Sequence, residues 1–393
     1  MAAPTIIAGY FVDWAIYARN YNVVDVARQS DKLTHILYAF ANLQQDGKVI
    51  LGDAWADTDK HFDASLTVDG KGDSWNDSGD NLYGNFKQFL LLKKQARHLK
   101  VSLSIGGWTW STNFSAVAAD PAKRHVFVSS AMEMLINFGL DGIDIDWEYP
   151  KDANDAENYV RLLYDMRYAL DNLAQQQQTS RYLLSCALPA GASNYNLLKL
   201  KEMDRYLDIF YLMAYDFHGS WDQVSGHQAN LYGGDVSVDK AVSDYIARGV
   251  PPHKIVMGCP MYGRAFSNTD GLGRPFSGIP QGSWEQGVYD YKVLPKDGAQ
   301  VMHDPQSGAT YSYHAGNREL VTYDTVDNIL AKADYINQRQ LGGAMFWELS
   351  GDAPSGPTSL LDAIHRGFHG AIDTTPNHLN WTGSKYANVK NGL

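Results

Sequence analysis

Cysteine is almost missing from this chain: 393 residues hold only Cys186 and Cys259, each inside an apolar run, LLSCAL and IVMGCP. A framework of disulfides is excluded by that count. Two buried free thiols are the expected state, since a bridge needs Cα atoms within about 7 Å, and the redox compartment is not readable from them. Long apolar stretches are also missing. No run reaches the roughly 18 residues that a membrane-spanning helix needs, so no membrane partner is expected. Positive charge is short, with 33 Lys and Arg against 44 Asp and Glu for a net −11. That balance argues against nucleic acid, whose phosphates need basic patches. The opening MAAPTIIAGYF lacks the basic segment, apolar stretch and cleavage site of a signal peptide. As it stands the chain therefore reads either as intracellular or as a form whose leader was removed. Asn-x-Ser/Thr triplets at Asn76, Asn113 and Asn380 lend slight support to an extracellular placement. The 12 histidines are scattered along the chain, and no Gly-x-Ser-x-Gly elbow or phosphate loop occurs, so neither metal nor cofactor is expected.

Aromatic rings are plentiful: 24 Tyr, 14 Phe and 10 Trp make up 12% of the chain. Flat apolar rings suit a large core and a sugar-binding cleft alike. Eight short apolar runs, Ile6–Phe11, His35–Ala41, Lys100–Ile105, Gly142–Trp147, Tyr182–Leu188, Leu207–Tyr215, Lys254–Pro260 and Gly343–Trp347, alternate with amphipathic stretches. Several are continuous in Ile, Val, Leu and Tyr, as in strands covered on both faces. Helical spacing appears over Asn85–His98, Ala122–Phe138, Asp152–Ala174, Val238–Ala247, Val326–Gln338 and Ser359–Arg366. Strand then helix, eight times over, predicts an α/β fold of the (β/α)₈ barrel type. An open doubly wound sheet is the alternative, but the turn after the first run, YFVDWAIYARN, lacks its phosphate-binding glycines.

Two stretches exceed ordinary strand-to-helix connections. Residues 43–84 are polar and rich in Asp and Gly. Residues 265–322, between strand seven and helix seven, contain the strand-like pieces VYDYKVL, ATYSYH and ELVTYD. The second reads as an inserted α+β lobe, leaving residues 1–264 and 323–393 as the barrel. Long insertions at strand C-termini usually build a barrel's substrate site. The polar tail 370–393 is expected to wrap the surface, Gln175–Gln178 to be a solvated helix end, and the protein to be a monomer.

The segment Asp141-Gly-Ile-Asp144-Ile-Asp146-Trp-Glu148 carries the chemistry. Side chains alternate along a strand, so Asp144, Asp146 and Glu148 share a face, while Ile143, Ile145 and Trp147 need burial on the other. In a closed barrel the shared face points inward, with Glu148 at the C-terminal rim. Repulsion and desolvation then force at least one carboxyl to hold its proton near neutral pH. Carboxylates with split affinities for a proton are what glycoside hydrolysis uses.

The pattern Asp-x-x-Asp-x-Asp-x-Glu on a fourth strand resembles the signature of glycoside hydrolase family 18. So do Ser104-Ile-Gly106-Gly107-Trp108, Met213-Ala-Tyr215-Asp216, Pro260-Met-Tyr262-Gly-Arg264 and Gly343-Ala-Met-Phe-Trp347-Glu. The resemblance runs from about residue 5 to about residue 368 and is nearest to fungal and bacterial chitinases with an inserted lobe. It implies substrate-assisted hydrolysis of chitin and N-acetylglucosamine oligosaccharides, with Glu148 as general acid and base. Asp146 would hold the acetamido N–H and Asp144 would share a proton with Asp146 at rest. Tyr215 would hold the acetamido oxygen. By the same resemblance Trp347 floors the −1 sugar and Trp108 stacks at +1. Asp216, Arg264, Tyr262, Met213, Phe40, Tyr10 and Gly107 line the site, Tyr10 and Ser104 touching Asp144. Gly106 and Gly107 give the backbone room for a tight turn. Trp14, Trp55 and Trp221 are further candidate subsite rings, and His218 is expected near the cleft without a direct role. Two other readings share the motif: an endo-β-N-acetylglucosaminidase acting on N-glycans, and a non-catalytic chitin-binding lectin. The presence of Glu148 speaks against the lectin.

Overall fold

A computed structural model describes residues 5–393; residues 1–4, on which part of the leader reading rests, lie outside the described residues. The strands in chain order are β1 (Ile6–Val12), β2 (His35–Leu43), β3 (Val49–Leu51), β4 (Lys100–Gly106), β5 (Gly142–Asp146), β6 (Leu183–Pro189) and β7 (Ile209–Met213). They continue with β8 (Ile255–Pro260), β9 (Tyr262–Phe266), β10 (Val288–Asp290), β11 (Gln300–Asp304), β12 (Ala309–His314), β13 (Glu319–Thr322) and β14 (Gly343–Trp347). One sheet has the order β1-β14-β8-β7-β6-β5-β4-β2-β3, and β1 also pairs with β2. The eight expected runs are therefore the closed ring of a (β/α)₈ barrel, and β3 is an antiparallel hairpin partner of β2.

The chain forms two compact units. One comprises Tyr10–Leu188, Asn196–Phe210 and Asp373–Leu393; the other comprises the chain up to Gly9, Pro189–Tyr195 and Tyr211–Ile372. In the first unit β4 and β5 are buried along their whole length, as strands flanked on both faces must be. The helix Pro121–Asn137 starts where the sequence suggests: Pro121 sits in the first turn, and the Asp120 carboxylate accepts from the Ala122 and Lys123 amides. The helix Ala153–Gln177 is capped by Asp152 and buries Tyr159, Leu163, Met166 and Leu170. It runs through the glutamine tract and stops at Gln178, whose left-handed φ of 51° ends it.

The start of β5 is pinned hard. The Asp141 carboxylate accepts from the Val101 amide at 2.7 Å and the His378 amide at 2.7 Å, and pairs with the fully buried Lys93 at 2.9 Å. The tail is thus an anchored part of this unit. Asn377 donates its side-chain amide to the carbonyls of Lys93, Ala96 and Leu99, and Val389 is completely buried. The 43–84 stretch is likewise ordered, with β3, a π-turn at Trp55–Asp59 and a 3₁₀ turn at Ala64–Leu66.

In the other unit β8 and β14 pair in parallel, Gly343 opposite Val256 through Trp347 opposite Pro260. The stretch after β8 builds a second sheet of order β10-β9-β13-β12-β11, antiparallel throughout its ladders. Its only helical turn between Ser267 and Thr322, among the described residues, is the 3₁₀ turn Tyr291–Val293.

Candidate active site

Strand β5 delivers the acids. Asp144 and Asp146 are buried, Glu148 is half-buried two residues beyond the end of the strand, and Ile143, Ile145 and Trp147 are buried on the opposite face. Trp147 lies flat against Phe114, centroids 5.4 Å apart and 14° between planes, which locks the residue between the two outer acids. Alternation along the pleat thus becomes a rigid spacing of carboxyl groups.

The environments of the two buried acids differ. Asp144 accepts three hydroxyl hydrogen bonds: Tyr10 at 3.1 Å, Ser104 at 2.7 Å and Ser185 at 2.6 Å. Burial raises its affinity for a proton, and the three donors oppose that rise. Asp146 has no such cradle. It hydrogen-bonds to the Glu148 carboxyl, and burial, then the charges of Glu148 and Asp144, push it well above the ordinary carboxylate range. Its Oδ1 is buried without a hydrogen-bond partner among the described residues. Asp146 therefore holds a proton while Asp144 is the better site for a negative charge. The expected resting bond between Asp144 and Asp146 is not the one formed: Asp146 is turned toward Glu148.

Around this row stand Phe40, 6.2 Å from the Tyr10 ring and 6.3 Å from Trp14, and the two glycines at the end of β4. Gly106 has φ +110°, and a Cβ there would come within 2.4 Å of the Asp146 carbonyl oxygen. Gly107 has φ +79°, and a Cβ would strike the Phe40 ring at 2.8 Å. Both glycines are required by close approach, as the sequence suggests. Trp108 follows with 76% of its surface exposed, an open aromatic face.

The other unit assembles a second group. Asp216, in a left-handed conformation with φ 59°, accepts at Oδ1 from the Tyr262 hydroxyl and from Arg264 Nε at 2.6 Å. The Arg264 guanidinium lies over the exposed Trp221 ring at 4.7 Å. Tyr215 is almost buried, its ring edge-on to Tyr262 at 6.2 Å and its hydroxyl 4.0 Å from the Met345 sulfur. Gly258 makes room for it, since a Cβ there would lie 2.8 Å from the Tyr215 ring. Met213 and Trp347, at the ends of β7 and β14, are half-buried.

The model of glycosyl hydrolases family 18 matches residues 6–352. The chain belongs to that family. It is 48% identical over 397 residues to Endochitinase 1 of Metarhizium robertsii, covering 99% of this chain and 91% of that protein. It is 47% identical over 394 residues to Chitinase 1 of Aphanocladium album, covering 98% and 90%. Among solved structures, the catalytic domain of a psychrophilic chitinase B from Arthrobacter superposes with a TM-score of 0.87 at 31% identity, covering 95% of this chain and 98% of that one.

The unit that carries the acid row also holds a second acidic group that the sequence does not announce. Asp13, directly after β1, and Asp57, in the π-turn, are buried, and Asp53 is half-buried. Tyr38 donates to Asp57 and accepts from Asn85 at 3.1 Å; Tyr17 donates to Asp53 at 2.6 Å. Burial and then the Asp53 charge push Asp13 up to about 7, and burial and then the Asp13 charge raise Asp57 well above the ordinary carboxylate range. Asp13 stands 40 residues and more from the other two in the chain, so no local pattern reveals the group. Trp14 and Trp55, candidate subsite rings nearby, are half-buried and half-exposed. His218 bonds through Nδ1 to the His227 carbonyl at 2.7 Å.

Proposed function

We propose that this family 18 protein is a chitinase that cleaves β-1,4 bonds between N-acetylglucosamine units, with Glu148 as acid and then base. The observation that carries this reading is the buried Asp146, which holds a proton at rest, bonds to Glu148 and has an Oδ1 with no hydrogen-bond partner among the described residues. Glu148, partly exposed at the rim and hydrogen-bonded to Asp146, passes the proton that the pair holds to the bridging oxygen, which leaves Asp146 ionised. The substrate's own acetamido carbonyl attacks C1 and displaces the protonated leaving sugar, giving an oxazolinium ion. A retaining scheme with two carboxylates would need a protein nucleophile; here the neighbouring amide takes that role. Asp146 accepts from the acetamido N–H, and Asp144 lies behind it in the cradle of its three hydroxyls. Water then adds to C1 as Glu148 takes its proton, and the configuration is retained.

The remaining roles are part of the same proposal. Tyr215 donates to the acetamido oxygen, Met213 faces its methyl group, and Trp347 lies beneath the −1 sugar. Trp108 offers its open face at +1. Asp216, with Tyr262 and Arg264, receives sugar hydroxyls, and Tyr10, Phe40 and Gly107 shape the wall beside the acids. The closeness of Endochitinase 1 and Chitinase 1 supports chitin over an N-glycan. A polymeric substrate of this kind favours work outside the cell. The test is a product profile from the N-acetylglucosamine hexamer read by NMR: shorter oligomers appearing first as the β anomer support the mechanism. An intact hexamer, or a fresh α anomer, overturns it.

A further inference from the structure

The parallel ladder between β4 and β5 ends with Gly106 opposite Asp146. Beyond that pair β4 turns away through Gly107, at φ +79°, and the next segment of β5 loses its ladder neighbour. The proton donor Glu148 lies two residues past the end of β5, where its amide N–H takes an acceptor from a side chain and not from a neighbouring strand.

Ser111, which no motif singles out, fills that gap. Its Oγ accepts from the Glu148 amide at 2.8 Å and donates to the Gly107 carbonyl at 2.8 Å, with the Asp146 carbonyl a longer 3.3 Å away. The Gly107 amide in turn donates to the Asp146 carbonyl at 2.9 Å. One hydroxyl thus closes a ring that runs Asp146, Gly107, Ser111, Glu148. Ser111 is buried, 7% exposed, so water does not compete for these bonds. The same ring includes the residue that precedes Trp108, the open aromatic face. We infer that Ser111 is a positioning residue for the reaction: its hydroxyl replaces the missing strand and sets the Glu148 backbone against that of Asp146. The inference rests on Glu148 being the acid.

This role differs from general packing in what it predicts. Asp146 and Glu148 hold a proton between them, and that bond depends on their backbone spacing. Releasing the Glu148 amide lets the pair drift apart, so the pair holds its shared proton less strongly and the alkaline limb of activity moves to lower pH. Binding of the substrate, which other residues provide, changes little.

The experiment uses the full chain and a fluorogenic chitobioside whose cleavage is read continuously. Ser111→Thr and Ser111→Val have nearly the same shape, but only Thr keeps the hydroxyl. For Ser111→Val and Ser111→Ala we expect kcat to fall about 10- to 100-fold with KM within about threefold, and the alkaline limb to move down by about half a pH unit or more. Ser111→Thr should recover most of the turnover and the parent pH profile. Equal activities of Thr and Val, or losses in the melting temperature alone with kcat and pH profile unchanged, overturn the role. If Ala does not fold, the Thr and Val pair decides. Should the parent enzyme leave the chitobioside uncut, the assignment of activity fails instead, which separates the two outcomes.

Discussion

The carboxyl of Asp146 bonds to that of Glu148, two residues further along the same chain, and keeps its proton because it is buried beside two other acids. The pair is a property of the pleat. Residues i and i+2 face the same way, and Trp147 between them is clamped against Phe114. Replacing Glu148 by Gln should lower turnover of a chitin oligomer by about three orders of magnitude or more, because an amide cannot donate the proton that cleaves the bond. Binding of the same oligomer, measured by calorimetry, should stay within about tenfold. Asp146→Asn should also be severely impaired, with near-normal turnover removing it from the mechanism.

Asp13 gives a pH dependence of stability. Its folded-state affinity for a proton is raised to about 7 from an ordinary 3.8. Below the ordinary value the group is protonated folded or unfolded, and it contributes nothing to the pH dependence. As the pH rises from about 4 to 7, the unfolded chain releases the proton and the native chain resists, so stability is lost across that window. Asp13→Asn removes the penalty. The melting temperature of the variant, relative to the parent, should climb by several degrees between pH 4 and pH 8. A difference that is flat with pH would show that Asp13 ionises freely in the fold.

Gly106 has no room for a side chain. A Cβ would lie 2.4 Å from the Asp146 carbonyl oxygen, a backbone atom that cannot rotate aside, and φ is +110°. Gly106→Ala should destabilise the protein by about 2 kcal/mol or more from strain alone. It should also lower kcat, since relief of the clash displaces Asp146. Thermal unfolding and steady-state kinetics on one preparation check both effects.

Lys93 pairs with Asp141 at 2.9 Å with both side chains essentially inaccessible. Removing one partner leaves a buried, uncompensated charge, typically worth about 3–5 kcal/mol. Lys93→Met should therefore lower the unfolding free energy in urea by that order. The double variant Lys93→Met, Asp141→Asn should recover part of the loss, because no lone charge then remains.

Much of this is legible in the sequence because it depends on short-range periodicity. The alternation of Asp144, Asp146 and Glu148, the continuous runs of the barrel strands and Pro121 at a helix start follow from neighbours in the chain, and each appears where expected. The bond of Asp146 to Glu148, in place of one to Asp144, is not legible there. It depends on the hydroxyls that Tyr10, Ser104 and Ser185 bring from other strands. Asp13, Asp53 and Asp57 meet only after folding, and their protonation follows from burial that no single segment encodes. The tail reads as a polar wrap, yet Asn377 satisfies three carbonyls at once. An asparagine in a polar segment carries no sign of that.

One consequence follows from where β9 begins. Tyr262 and Arg264, which grip Asp216, are residues of the first strand of the second sheet, separated from β8 by Met261 alone. Grafting that sheet from a relative would therefore transplant both partners of Asp216 with it. Chimaeras cut at this junction should exchange ligand preference together with architecture, while a cut after Phe266 would leave the host's grip on Asp216 intact.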